Sequence, residues 1–258
     1  MTDRTRLRDL TGPRIAARAA HEVLFLPLGS IEQHGPHLPV DTDTHIAERF
    51  AAATCARTGG LVAPGFVYGS RSRPISGGGE RFPGTVSLSA ATHSAIVADL
   101  VVNYARHGHR RIVLVNGHFE NTAPAVEGVD LALERGADAQ VLVVNWWEVI
   151  GTDALDRIFA GDFPGWEAEH AGIVETSLML HLDPARVHAD AISPLTVAIT
   201  PPPYTVLPER PGLVDPSGVL RTAHGSSAAI GEAIFTSTTD ALVAVVRAEF
   251  GPAEAEGR

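Results

Sequence analysis

Residues 111–121 read RIVLVNGHFEN. Ile112 to Val115 are apolar without alternation and rich in β-branched side chains. That is the composition of a strand buried on both faces, and such strands belong to parallel sheets covered by helices. Outward from this strand the same pairing of apolar run and helical pattern recurs. Val23–Leu28 and Leu61–Val67 read as strands before it, and Gln140–Trp146 as one after it. Helical patterns fill the intervals at Thr44–Arg57, Ser89–His107 (with Ser89 as N-cap), Asn121–Arg135 and Ala168–Leu182, and a last helix runs from about His224 to Phe250. The rhythm predicts an α/β protein with a mostly parallel sheet between helical layers. With no linker and no internal repeat, residues 1–258 are expected to form a single domain. Two long irregular stretches, Gly69–Thr85 and Ser193–Gly218, break the rhythm, and such stretches in compact domains are often functional.

Parallel sheets bind ligands at the carboxyl ends of their strands. The unusual polar clusters fall at those ends: Ser30–His45 after the first strand, Asn116–Asn121 after the third, and Trp146–Glu148 after the fourth. The first reads SIEQHGPHLPVDTDTH, a dense run of acids and imidazoles in a chain that is only 19% charged. Glu32 and His34 are two apart, so an extended backbone points them to one side. Asp43 follows a turn forced by Gly35-Pro36 and Pro39, and His118 with Glu120 repeats the two-apart spacing. Singly, each has an ordinary explanation: a cap, a satisfied histidine, an Asn-Gly turn. Together they offer three carboxylates and two imidazoles. One catalytic ion takes about three protein ligands, so five ligands with one bridging carboxylate suit two divalent ions.

Other residues are less decided. His37 and His45 fit equally as groups orienting a ligand and as surface positions, whereas His93, His107, His109, His181, His188 and His224 read as ordinary helix and loop residues. Trp146, Trp147 and Trp166 serve either as core or as an aromatic wall around a flat ligand. Glu169-His170 opens a helix at the same mouth, and an imidazole beside a metal-bound water can pass a proton to a leaving nitrogen.

Composition excludes several classes. A net charge of −10 disfavours nucleic acid and anionic membranes as partners. All 20 basic residues are Arg, which removes Schiff-base chemistry and the P-loop lysine, and no G-x-S-x-G elbow occurs. The single cysteine, Cys55, is expected as a buried thiol and makes no intramolecular disulfide. The start, MTDRTRLRDLTGPR, carries no apolar signal region, and no apolar run approaches the ~18 residues of a membrane span. A cytoplasmic protein is expected.

Four separated motifs, GSIEQHGPHLPVDTD, SGGGERFPGT, VLVNGHFENTAPAVEGVDLAL and GWEAEHAGIVETSLML, resemble in order and spacing the creatininase (creatinine amidohydrolase) family over about residues 20–240. NGHFEN, Trp166 and the paired Glu169-His170 resemble the creatininase branch itself, where many other members read NGHGGN. The resemblance implies a three-layer α-β-α sandwich assembled as a hexamer, with two divalent ions, Zn and/or Mn, in each chain. Carried over by motif, Glu32, Asp43 and His118 would hold one ion and His34, Asp43 and Glu120 the other. Ser76 and Gly77 match a substrate-contacting loop, and Trp147 and Trp166 match aromatics that shape the pocket, with Glu169 grouped beside them. His170 matches the proton shuttle, and Glu175 an acid that supports the site.

The reaction this implies is hydrolysis of a cyclic amide, creatinine to creatine. A water bridging the two ions attacks, Glu120 and His170 are catalytic, and His170 protonates the leaving ring nitrogen. The alternatives are another amide, such as a formamide or peptide, or a lactone, and a non-catalytic metal-binding oligomer. The chain departs from the family in Asn145-Trp146-Trp147-Glu148, where Tyr-Trp-Asp is expected, in Ala171 for a glycine, and in a loose match over 188–222. These departures touch the pocket wall and lid, so they bear on the substrate more than on the reaction type.

Overall fold

The computed structural model describes residues 5–251 apart from 167–168, 193, 196–203, 205–206, 209–211 and 213. Among the described residues four strands form one sheet: β1 (Leu24–Leu28), β2 (Leu61–Val62), β3 (Arg111–Asn116) and β4 (Gln140–Asn145). Their order is β2-β1-β3-β4 and every pairing is parallel, with Leu28 opposite Asn116 and Asn116 opposite Asn145. The helices are α1 (Gly12–Ala19), α2 (Thr42–Thr58), α3 (Pro74–Gly77), α4 (Ala90–Arg106), α5 (Thr122–Glu134), α6 (Trp146–Val149), α7 (Thr152–Phe159), α8 (Ile173–Leu182) and α9 (Ala228–Phe250).

The pleat divides the core in two. Leu24, Leu26, Leu28, Ile112 and Leu114 face α4 and α5, where Val97, Val101, Ala125 and Val129 receive them. Phe25, Val113 and Val115 face the other way, onto Phe50 of α2, Leu178 of α8 and Ile234 of α9. Helices therefore cover both faces, and the three-layer α-β-α sandwich is the observed architecture. Two caps fall at Ser hydroxyls: Ser89 accepts from the Thr92 N–H and Ser227 from the Ile230 N–H, the second fixing the start of α9 at Ala228.

β2 is shorter than the expected Leu61–Val67 because Pro64 and Gly65 end its ladder. Pro27 lies in the inner strand β1, where proline is normally excluded. Its carbonyl accepts from the Phe66 N–H at 2.9 Å, so its missing N–H faces the same side, past the point where β2 has stopped. By length and mean hydropathy α9 is apolar enough to cross a membrane. Glu232 and Asp240 interrupt it, however, and Ile234, Leu242 and Val246 are buried in the core, as in the core helix of a globular fold. Cys55 is a buried free thiol in α2.

Candidate metal centre

The carboxyl ends of β1 and β3 lie side by side, and both polar segments start there. Glu32 and His34 leave β1 fully buried, and α2 then opens with Asp43 in its first turn. A carboxylate suits that place because helix N-termini carry partial positive charge. Gly117 permits the approach: a Cβ there would lie 2.3 Å from the Asp43 carbonyl oxygen. His118 follows directly. Asn116 fixes it, accepting from the His118 N–H at 3.1 Å and donating to its carbonyl oxygen at 2.8 Å.

Asp43 is the shared corner. Its Oδ1 is 3.0 Å from His34 Nε2, and its Oδ2 is 3.1 Å from His118 Nδ1. Glu32 Oε2 lies 3.1 Å from the same His118 Nδ1. Glu175, brought in by α8, places Oε2 3.7 Å from His34 Nε2 and accepts from the Ala171 N–H at 2.7 Å. Ala171 takes a left-handed φ of 51°. Ligand atoms lying within 4.8 Å of one another form three groups: Glu32, Asp43 and His118; His34, Asp43 and Glu175; and Glu32, His34 and His170.

The second expected set, His34, Asp43 and Glu120, has a different geometry. Glu120 stands across the His118 ring, with Oε2 3.2 Å from Nε2. Its Oε1 accepts from the Arg73 N–H at 3.2 Å and from the Ser76 hydroxyl. Glu175, expected in a supporting role, occupies the place beside His34 and Asp43. The same nitrogen, His118 Nε2, also lies 3.0 Å from the Ser70 carbonyl oxygen.

The donor set fits divalent cations. Buried polar atoms are as a rule paired, yet Glu32 Oε1 is buried without a hydrogen bond, and His34 Nε2 and Glu120 Oε2 are met by other candidate ligand atoms of the cluster itself. Burial pushes Glu32 up to about 7, with His118 opposing. Burial also works against charge on the imidazoles. Asp43 and Glu175 nonetheless hold His34, and Glu32 and Asp43 hold His118, well above the ordinary histidine value. Against burial, His34 and His118 hold Asp43 well below the usual carboxylate range. Protons neutralise this cluster when no cation does, and metal binding displaces protons from such ligands.

That predicts a pH signature for the metal-free protein. Groups with lowered values, His37, His93 and His170, have titrated in both states above about pH 7. The raised groups, His34, His118 and Glu169 (up to about 8), still bind more protons folded than unfolded, so their contribution is lost as pH rises through their folded values. Melting of the metal-free protein should fall by about 5 °C or more between about pH 7 and pH 9, since one kcal/mol moves Tm by roughly 2–4 °C at this length. The zinc-loaded protein should keep only the part of that slope that Glu169 contributes. Parallel profiles for the two forms would refute the assignment of His34 and His118 as cation ligands.

The cluster floors a cleft of about 460 Å³, its open mouth included. The wall is aromatic: Trp147 stacks on Phe119 at 6.1 Å, and Trp147 and Trp166 meet Trp146 edge-on at 5.9 and 5.7 Å. Trp146 continues into the core against Phe50. Ser76 also lines the cleft. Gly77 is buried behind it, its carbonyl accepting from Gln33. Ala168, the expected start of the helix after Trp166, is outside the described residues, and α8 begins only at Ile173. Glu169 precedes it and caps it, Oε1 accepting from the Val174 N–H at 2.8 Å and the Glu175 N–H at 3.2 Å. Burial, with help from Glu175, pushes Glu169 up to about 8. Burial and the neighbouring His34 push His170 well below the usual imidazole value, and the two rings lie 4.4 Å apart.

Sequence reasoning passed over three contributors. Gln33 touches His170, and its signal was position: a polar residue between two same-side ligands must face the opposite packing surface. Phe119, 62% exposed, forms the outer rim. His93, read as ordinary, is buried against Phe66 with both ring nitrogens unpaired. His37, left open before, is buried and meets Thr176 Oγ1 at 2.9 Å.

The family model for creatinine amidohydrolase matches residues 8–246. The chain belongs to the creatininase family. It is therefore an enzyme of the amidohydrolase kind. The creatinine amidohydrolase of Pseudomonas putida is 40% identical over 252 residues, covering 95% of this chain and 96% of that protein. A creatininase variant complexed with creatine superposes with a TM-score of 0.92 at 38% identity, covering 96% of this chain and 99% of that one. A manganese form of creatininase gives 0.92 at 39% identity, with the same coverage.

Proposed function

We propose that this creatininase-family hydrolase opens the ring of creatinine to give creatine, using two divalent ions, zinc or manganese. Glu32, Asp43 and His118 would hold one, and His34, Asp43 and Glu175 the other. Glu120 remains a candidate ligand through its buried Oε2, which faces His118 Nε2 at 3.2 Å. Bound there, the ions supply Lewis acidity toward an amide carbonyl and lower the pKa of water. The carrying observation is that two buried acid–imidazole groups share Asp43 at the foot of a tryptophan-walled cleft that also holds His170.

The chain's own residues complete the chemistry. Trp147 and Trp166 sandwich a small flat ring and exclude water. Glu169, with a buried Oε2 lacking any hydrogen bond, meets a polar edge of the substrate. Ser76 positions Glu120 and touches the substrate. Ring opening removes a proton from water as it adds to the carbonyl and delivers one to the ring nitrogen as the C–N bond breaks. His170 is neutral, buried beside the cluster, and suited to both transfers. In the same reading the chain is one domain, assembles as a homohexamer and works in the cytoplasm, supported by the family likeness and the single buried thiol.

The test is creatine formation from creatinine by stripped protein before and after loading with manganese or zinc. Metal-dependent creatine release is expected. Two tightly bound ions with no creatine formed would reject creatinine as the substrate.

A further inference from the structure

Gln33 lies between two candidate ligands and is itself not one of them. It is buried, and each polar atom of its side chain is engaged. Oε1 accepts from the Gly35 N–H at 2.9 Å, and Nε2 donates to the carbonyl oxygens of Gly77 at 3.2 Å and Gly218 at 2.8 Å. Two carbonyl oxygens at one end of the amide settle which end is nitrogen, because an amide oxygen there would have no proton to offer. Gly78 and Gly218 take positive φ and pack so closely that a Cβ at either would lie 2.4 or 2.1 Å from the Gln33 amide. One side chain thus ties together the segment carrying Glu32 and His34, the glycine-rich segment carrying Ser76, and the segment at Gly218.

His170 completes the arrangement. Its Nε2 lies 2.7 Å from the Gln33 carbonyl oxygen and 2.9 Å from Gln33 Nε2. Both amide protons already go to Gly77 and Gly218, and a carbonyl oxygen only accepts. The His170 nitrogen facing Gln33 is therefore an N–H. We propose that Gln33 is the positioning residue of this site: its carbonyl fixes His170 as the Nε2–H tautomer, and its side chain holds that carbonyl and the Ser76 segment in place. The lone pair is then on Nδ1. As the water oxygen adds to the carbonyl carbon, its proton passes to Nδ1. As the C–N bond breaks with its electron pair on nitrogen, the same proton moves there, and His170 ends as it began. This transfer rests on the ring-opening function; the tautomer does not.

The experiment combines ¹⁵N NMR of deuterated, ¹⁵N-histidine-labelled protein with steady-state kinetics, on metal-free and zinc-loaded samples. His170→Asn identifies the resonance, and Gln33→Met keeps the length of the side chain without its amide. Wild-type His170 should be protonated at Nε2 in both forms. Gln33→Met should mix the tautomers and lower kcat about 10- to 100-fold, with KM and zinc content nearly unchanged. A structural role alone would lower Tm and leave tautomer and kcat as they were. A wild-type ring protonated at Nδ1 overturns the proposal, as does Gln33→Met with an unmixed tautomer and wild-type kcat. If that variant does not fold, the wild-type spectrum decides alone. Should creatinine not be turned over, the ring-opening function falls while the spectra still judge Gln33.

Discussion

Asp43→Asn is expected to lose bound metal and to reduce turnover by roughly 10³-fold or more. Asn keeps the volume and the place in the first turn of α2, so the fold should persist. What goes is the one negative charge reaching both imidazoles, 3.0 Å from His34 Nε2 and 3.1 Å from His118 Nδ1. The other carboxylates pair at ion-pair distance with one imidazole each: Glu32 with His118, and Glu175 with His34. A bound cation contributes several kcal/mol to the transition state, and each step of about 1.4 kcal/mol is tenfold in rate. Metal content per chain, measured beside creatine formation, checks this. Two ions retained with near wild-type turnover would show that Asp43 bridges nothing.

The second large effect is expected at His170. Replacing it by Ala should lower kcat about 10²- to 10⁴-fold, the range for a lost general acid–base, while metal content stays at the wild-type level. The geometry makes the metal measurement decisive, because Glu32, His34 and His170 also form a group whose ligand atoms lie within 4.8 Å. If His170 were a ligand, metal and activity would fall together. If it moves protons, only activity falls, and added imidazole should restore part of it. Loss of metal in step with kcat would remove the shuttle role.

Much of this was legible in the sequence, and the exceptions have physical causes. Unalternating apolar runs mark buried strands whatever their partners, so β1, β3 and β4 stood out, and Ser89 announced α4. β2 did not end where its apolar run ended, because Pro64 and Gly65 interrupt the ladder to β1, which resumes only as an isolated bridge at Phe66. The start of α8 was misplaced because a carboxylate, Glu169, caps it from outside while Gly172 and the left-handed Ala171 delay the helix. α1 was missed although Thr11 followed by Gly12-Pro13 is a fair start signal, since charged residues masked its pattern. Glu32 and His34 could be picked out because their two-apart spacing on an extended segment sets their direction, and Asp43 and His118 because each follows a buried strand in a polar cluster. The approach of Glu175 to His34 could not, since α8 is packed there by the core and no local pattern records the distance from β1. Position alone marked Gln33, and its role was hidden for the same reason: its partners at Gly77, His170 and Gly218 come from three distant parts of the chain.

The strands all run the same way, so every segment that leaves one emerges at a single edge. The acids and imidazoles arrive there from β1 and β3, whereas Trp147 follows β4 and Trp166 precedes α8. Anchoring and discrimination are thus written on separate stretches of chain. A lineage can revise residues 146–166 and try new substrates while the cation-holding residues, carried mainly by the segments after two adjacent inner strands and joined by Glu175 from α8, pass unaltered from one generation to the next.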